Sequence, residues 1–188
     1  MSGHAPDVLD ETGRALLHSK IRDIPDWPKP GVMFKDITPL LADHHAFATA
    51  VDALASAGQD AAGQSAVDAV AGIEARGFIL AAPVAQRLGV GFVPVRKAGK
   101  LPYETRSASF TLEYGEETVE VHTDAFEPGA RVLIVDDVLA TGGTLEATAA
   151  LITSVGATVS AVAVLIELGF LGGRDKLGTL DVKALLQA

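Results

Sequence analysis

The sequence contains no cysteine. That absence excludes disulfides, zinc–thiolate sites and cysteine nucleophiles, and it suits a reducing compartment. Cationic residues are scarce: 15 Lys and Arg stand against 24 Asp and Glu, a formal charge of -9. A generic nucleic-acid binder presents a basic surface to the phosphate backbone, so that class is set aside. No run of about 18 apolar residues occurs, so no helix is expected to span a bilayer. Met1 to Asp10 is polar and acidic, without the apolar stretch of a secretory signal, and the cytoplasm is the expected location. Internal repeats and low-complexity linkers are missing too. What remains is a chain of 188 residues, 48% hydrophobic and 21% charged, which fits one globular domain over residues 1–188. Nineteen glycines predict several tight turns and places where backbone must come close to something else.

Strands and helices alternate along the chain. A helix is expected near Asp10 to Ile21, then an extended loop over Pro25-Asp26-Trp27-Pro28-Lys29-Pro30-Gly31, where three prolines forbid a regular ladder. A second helix runs from about His44 to Ala57, with Phe47, Val51 and Leu54 at helical spacing. Val67 to Ile73 reads as a buried strand, Gly77 to Leu88 as a helix and Gly91 to Val95 as the next strand. Ser107 to Tyr114 and Thr118 to His122 alternate as a β-hairpin turning at Gly115. Arg131 to Val135 is an apolar strand, Gly142 to Val155 a helix and Thr158 to Ile166 another strand. Strands apolar on both faces, alternating with helices, indicate an α/β fold with a central parallel sheet flanked by helices. In such sheets ligands bind at the carboxyl ends of the strands, which directs attention to the loops after Ile73, Val95, Val135 and Ile166.

The strongest signal is Val132-Leu133-Ile134-Val135-Asp136-Asp137-Val138-Leu139-Ala140-Thr141-Gly142-Gly143-Thr144. An apolar strand delivers two adjacent carboxylates, and a turn of Ala140, Thr141, Gly142, Gly143 and Thr144 then opens a helix. Amides at a helix start, with the helix dipole behind them, suit a phosphate, and glycines let backbone approach it. Carboxylates repel phosphate but suit ribose hydroxyls or magnesium, both of which seek oxygen acceptors. A phosphate cradle and a sugar-diol clamp side by side are what a ribose 5-phosphate requires. A Walker-type nucleotide site is set aside because its Gly-x-x-x-x-Gly-Lys-Ser/Thr loop is missing. His44-His45 has no partner cluster and reads as a helix-start surface pair, so no protein metal site is expected.

This stretch resembles the phosphoribosyl diphosphate signature of type I phosphoribosyltransferases. Ala140 stands where many 6-oxopurine enzymes of the group carry an aspartate acid–base group, so an acid is expected elsewhere. Leu112-Glu113-Tyr114-Gly115, with the basic loop Arg96-Lys97-Ala98-Gly99-Lys100-Leu101-Pro102, is similar to the mobile loop and Leu-Glu-Tyr-Gly motif of the adenine-specific members. By alternation alone Glu113 is a solvent-facing strand residue; the resemblance implies a general acid/base near the purine, with Tyr114 near the leaving diphosphate. Arg96, Lys97 and Lys100 would then draw in the diphosphate; on charge alone they form an ordinary solvated loop. Gly72-Ile73-Glu74-Ala75-Arg76-Gly77-Phe78 resembles the family's diphosphate loop, implying diphosphate contacts at Glu74, Ala75 and Arg76 and a non-proline cis peptide at Glu74–Ala75. Pro30 to Pro39 resembles the base-binding segment. There Met33, Phe34 and Lys35, with Leu168 after the last strand read, would bind adenine, Phe34 and Leu168 taking its two faces. Lys35 stands where many relatives carry arginine, which removes a bidentate contact.

Across about residues 21–186 the resemblance implies the type I phosphoribosyltransferase fold: about five parallel strands, flanking helices, a small N-terminal hood at about 20–42 and a mobile β-hairpin loop. It implies a cytoplasmic homodimer that moves the 5-phosphoribosyl group from 5-phospho-α-D-ribose 1-diphosphate to adenine. Magnesium would be the cofactor, carried mainly by the sugar diphosphate. Which of Asp136 and Asp137 holds which ribose hydroxyl stays open. The rival readings are a transferase for another purine such as xanthine, a non-catalytic regulator binding phosphoribosyl diphosphate, and a phosphate binder without transfer activity. An acidic chain without a basic DNA-binding domain weighs against the regulator.

Overall fold

In the computed structural model, which describes residues 9–112 and 115–188, the chain divides into two compact units, Met1–Ala53 and Leu54–Ala188. The first unit begins with α1 (Glu11–Ser19), where the Asp10 carboxylate accepts from the Gly13 amide at 2.7 Å. This satisfies one of the donors that a helix start leaves free. β1 (Arg22–Ile24) and β2 (Phe34–Asp36) pair antiparallel, and the proline-rich segment joins them without entering the ladder; its Trp27–Pro28 peptide is cis. α2 (Thr38–Ala42) carries a proline in its first turn, where the missing N–H is not needed. Ahead of α3 (His44–Ala55), Asp43 Oδ1 accepts from the amides of His45 and Ala46. Lys20 Nζ lies 2.6 Å from the same carboxylate, and the lysine and the amides hold it down at about 2.

The second unit contains β3 (Ala69–Ile73), α4 (Arg76–Leu88), β4 (Gly91–Lys97), β5 (Thr105–Leu112), β6 (Gly115–His122), β7 (Arg131–Leu139), α5 (Gly143–Ser154), β8 (Thr158–Glu167), α6 (Gly173–Lys176) and β9 (Val182–Gln187). Its sheet runs β5-β6-β4-β3-β7-β8-β9. From β4 to β9 the neighbours are parallel, five strands as expected from the sequence; the sheet has seven because the β5–β6 hairpin continues it antiparallel through Arg96↔Glu120 and Lys97↔Val119. The fifth parallel strand, β9, follows the last one that periodicity revealed. β3 is buried at every position, and Ile134, Val135, Val162 and Val164 have no exposed surface. Helix-covered parallel strands are buried on both faces, which is why these read as unbroken apolar runs. α5 buries Leu145, Leu151 and Ile152 in this core, with Ala149 partly buried beside them.

Two central strands are tied at their starts. Asp68 accepts from the Arg131 amide at 2.8 Å and from its Nε and Nη2 at 3.0 and 2.9 Å. The Arg131 side chain and amide hold the Asp68 carboxyl at about 2, below its ordinary 3.8. A depressed carboxyl contributes stability that is complete above the ordinary value and lost as pH falls through the folded one. Asp68→Asn is therefore expected to lose less melting temperature than the parent between about pH 4 and about pH 2. The pair is exposed, so the difference is small. Equal acid-induced losses in parent and variant would show that Asp68 does not carry this sensitivity.

Candidate active site

β7 runs past the expected end at Val135, so Asp136 and Asp137 lie inside the strand; their pairing with β8 continues through Asp136↔Val164 to Leu139↔Glu167. α4 crosses this end of β7 closely. A Cβ on Gly77 would stand 2.7 Å from Asp136 Oδ1 and 3.1 Å from the Val135 carbonyl oxygen, so only glycine lets the first turn of α4 rest there. The Asp137 amide donates to Asp136 Oδ1 at 2.9 Å, and Arg76 Nη2 from α4 lies 2.8 Å from Asp137 Oδ2. Asp137 is buried, and although Asp136 keeps some surface its carboxyl is packed under Gly77. Burial, then the Asp137 charge, pushes the Asp136 carboxyl well above the usual carboxylate range. Burial also raises Asp137, with the Arg76 guanidinium opposing it.

Past Leu139 the chain turns through Ala140, Thr141 and Gly142 into α5. Gly142 holds φ 81 at the helix start, a left-handed conformation that favours glycine, and among the described residues no side chain caps the helix. The free amides and the dipole of α5 thus face a cavity of about 60 Å³ walled by Ala140, Thr141, Gly142 and Thr144. Beside it a larger cavity of about 620 Å³ brings together Glu74 and Ala75 from the loop after β3, Arg76 from the start of α4, Lys97 from the end of β4, Lys100 from the loop beyond it, and Asp136, Asp137, Ala140 and Thr144. Its volume is in the range of small-ligand sites. The Glu74–Ala75 peptide is cis, as the resemblance implied.

The basic loop is not bare. Glu74 accepts from the Lys97 amide and from Lys100 Nζ, both at 3.0 Å, and Arg96 Nε lies 3.4 Å away. Burial by itself would lift the Glu74 carboxyl; the Lys97 amide and the Lys100 ammonium outweigh it and hold it below the usual range. Lys97 Nζ pairs with Glu117 at 2.9 Å, and Arg96 Nη1 donates to the Lys100 carbonyl. An incoming anion therefore exchanges with carboxylates for these cations. Glu117 was not read from the sequence as part of the site, although the acidic run Glu116, Glu117 and Glu120 opposite the basic loop was its visible signal.

Glu113 and Tyr114 lie outside the described residues; their flanks Leu112 and Gly115 pair across the hairpin. Leu168 is half-buried at the end of β8, its amide donating to the Leu139 carbonyl at 2.9 Å. Met33, Phe34 and Lys35 belong to the first unit. Met33 is exposed, Phe34 meets Trp27 edge-on at 4.5 Å between centroids, and Lys35 Nζ lies 2.8 Å from its cross-strand neighbour Asp23.

Chemically, the second unit sets an anion cradle beside a cavity that brings together an acceptor pair and a set of cations. A family profile described as phosphoribosyl transferase domain matches residues 40–180. An adenine phosphoribosyltransferase from a Nocardioides species is 63% identical over 88% of this chain and 90% of its own. The crystal structure of adenine phosphoribosyltransferase from Thermoanaerobacter pseudethanolicus superposes with a TM-score of 0.87 at 50% identity, covering 93% of this chain and 99% of that one. The Saccharomyces cerevisiae enzyme, solved with an iminoaltritol bisphosphate and adenine, gives a TM-score of 0.89 at 36% identity, covering 94% of this chain and all of that one. With a family profile matching most of the chain and relatives alike along nearly its whole length, this chain belongs to the adenine phosphoribosyltransferases.

Proposed function

We propose that the chain transfers the 5-phosphoribosyl group from 5-phospho-α-D-ribose 1-diphosphate to adenine, giving AMP and diphosphate for purine salvage. The observation that carries this reading is a pair of adjoining cavities, the larger walled by Arg76, Lys97 and Lys100 and by Asp136 and Asp137, the smaller by the turn before α5. A ribose 5-phosphate bearing a diphosphate needs those three surfaces at once.

Ala140 to Thr144 would hold the 5-phosphate with backbone amides and hydroxyls. Asp136 and Asp137 would accept from the ribose hydroxyls, and Arg76 with the 74–75 backbone would hold the diphosphate. The bond from ribose C1 to the diphosphate oxygen breaks with its electron pair leaving on diphosphate. Arg96, Lys97 and Lys100 would neutralise that charge after releasing Glu74 and Glu117. Adenine N9 bonds to C1 from the opposite side, inverting it, and Glu113 would take the N9 proton while Tyr114 lies near the departing diphosphate. Phe34 and Leu168 would cover the faces of the base, with Met33 and Lys35 at its edge, and residues of about 20–42 would form a hood within one domain.

The acids suit a magnesium ion shared with the substrate: Asp136 and Asp137 line the cavity, and no three His, Asp or Glu side chains converge as a cage among the described residues. Bound there, the ion would add positive charge against the diphosphate. A homodimer in the cytoplasm is the assembly and location we assign by family likeness; among the described residues no helix is long and apolar enough to cross a membrane.

A base panel tests the reading. The protein receives phosphoribosyl diphosphate, magnesium and one of adenine, hypoxanthine, guanine or xanthine, and nucleotides are separated by chromatography. AMP from adenine alone is expected. A nucleotide from another base would overturn the reading of the base site, and no product from any base would leave a binding protein.

A further inference from the structure

Gly173 is buried between β8 and β9, and its backbone touches the phosphate turn. A Cβ on Gly173 would stand 2.1 Å from the Ala140 carbonyl oxygen and 2.8 Å from the Gly142 amide nitrogen. A Cβ on Gly142 would in turn meet the Gly173 carbonyl oxygen at 2.3 Å. All of these are backbone atoms, which cannot swing aside as a side chain does. Two loops from different strand ends therefore lie backbone against backbone, and each takes its shape from the other.

The next residue fixes that contact. Arg174 donates through Nε to Glu167 Oε1 at 2.9 Å and through Nη2 to Glu167 Oε2, and its Nη1 donates to the Val182 carbonyl at 2.7 Å. Glu167 is buried, and Gln187 Nε2 donates to its Oε2 at 2.8 Å. In the sheet register Glu167 pairs with Leu139, the last residue of β7 before the phosphate turn. The guanidinium thus binds the loop after β8 to the strand end beside the turn and to the first residue of β9. Gln187 and the β8–β9 ladder already join those two strands, so closing the sheet does not require Arg174. What Arg174 adds is the placement of residues 168–173.

We propose that Arg174 is a positioning residue for the transfer reaction. By gripping Glu167 and Val182 it seats the Gly173 backbone against Ala140–Gly142 and holds that turn in the shape that receives the 5-phosphate. The same grip sets Leu168, which directly follows Glu167, so one ion pair places a base-side residue and the phosphate turn together. Planar two-point pairing matters here, and lysine reproduces only part of it. This inference rests on the proposed binding of the 5-phosphate at residues 140–144.

The test compares the parent with Arg174→Met, Arg174→Lys and Gly173→Ala. Ribose 5-phosphate is titrated by calorimetry, steady-state kinetics are measured for both substrates, and melting is followed by circular dichroism. All binding is measured well below each melting point. Arg174→Met and Gly173→Ala are expected to weaken ribose 5-phosphate binding and raise KM for the sugar diphosphate by about tenfold or more, with kcat changed less. Arg174→Lys is expected to recover part of that loss. Should Gly173→Ala not fold, the two Arg174 variants decide. A lower melting point in Arg174→Met with parental affinity for ribose 5-phosphate would make the pair purely structural and overturn the proposal. If the parent itself transfers phosphoribosyl groups but does not bind ribose 5-phosphate, the proposal falls while the activity stands. If the parent does neither, the functional reading has failed first and the proposal falls with it.

Discussion

An Asp136→Asn variant is expected to melt higher than the parent at neutral pH and to transfer about a hundredfold more slowly. Both effects have one origin. The Asp136 carboxyl sits under Gly77 beside the Asp137 charge, and both circumstances oppose ionisation. Its ordinary value is 3.8, and the folded chain holds the proton to a much higher pH. A carboxyl raised by folding favours the folded state at low pH; that advantage disappears as pH rises from the unfolded value to the folded one. Asparagine removes the ionisation while keeping an Oδ1 that can accept from the Asp137 amide, as Asp136 does at 2.9 Å. The activity loss follows from the proposed ribose contact: asparagine replaces one of the two carboxyl oxygens with an amide nitrogen that can only donate, so an acceptor for a sugar hydroxyl is lost. Melting curves from about pH 4 to about pH 8, with kcat/KM at neutral pH, check both arms. A melting point that tracks the parent at every pH would show that the buried carboxyl costs the fold nothing.

Glu113→Gln is expected to lower kcat by about a hundredfold to ten-thousandfold, the span of general acid–base catalysis, with KM for the sugar diphosphate little changed. The strands flanking residues 113–114 pair without a register shift from Thr105↔His122 to Leu112↔Gly115. Phe110, three residues earlier, packs on the start of α5; a Cβ on Gly143 would stand 3.2 Å from its ring. The hairpin is thus anchored on the helix whose start forms the phosphate turn. The pH dependence of kcat supplies the finer test, because the limb that reports the base should vanish in the variant. A kcat within threefold of the parent would show that Glu113 is not the general acid/base.

The turn at Ala140 to Thr144 stood out in the sequence as a candidate site because several independent features coincide there: an apolar strand, paired acids and glycines. Its boundary was less legible. Apolar character falls at Asp136, but the β7–β8 ladder continues to Leu139, since backbone pairing does not depend on side-chain polarity. β9 escaped because Val182 to Gln187 neither alternates cleanly nor is rich in β-branched residues, and it closes one edge of the sheet. The cis peptide at Glu74–Ala75 was placed by family resemblance, since nothing in composition or spacing announces it. The pairing of Lys97 with Glu117 depends on hairpin register, and that of Glu167 with Arg174 on a turn between two strands. Neither follows from spacing along the chain.

The position of β7 in the sheet also governs how the site would appear in amide hydrogen exchange. β7 has hydrogen-bonded parallel neighbours on both sides, β3 and β8, and Val132 to Val135 have no exposed surface. Amides of such a strand exchange only through the largest opening events, at a free energy close to that of global unfolding. The amides of Val132 to Val135 belong to this slow class, while those of Thr141 to Thr144, at the helix start, exchange through small local openings. A ligand seated at the turn would therefore register as new protection over a few amides next to a strand whose exchange was already too slow to change.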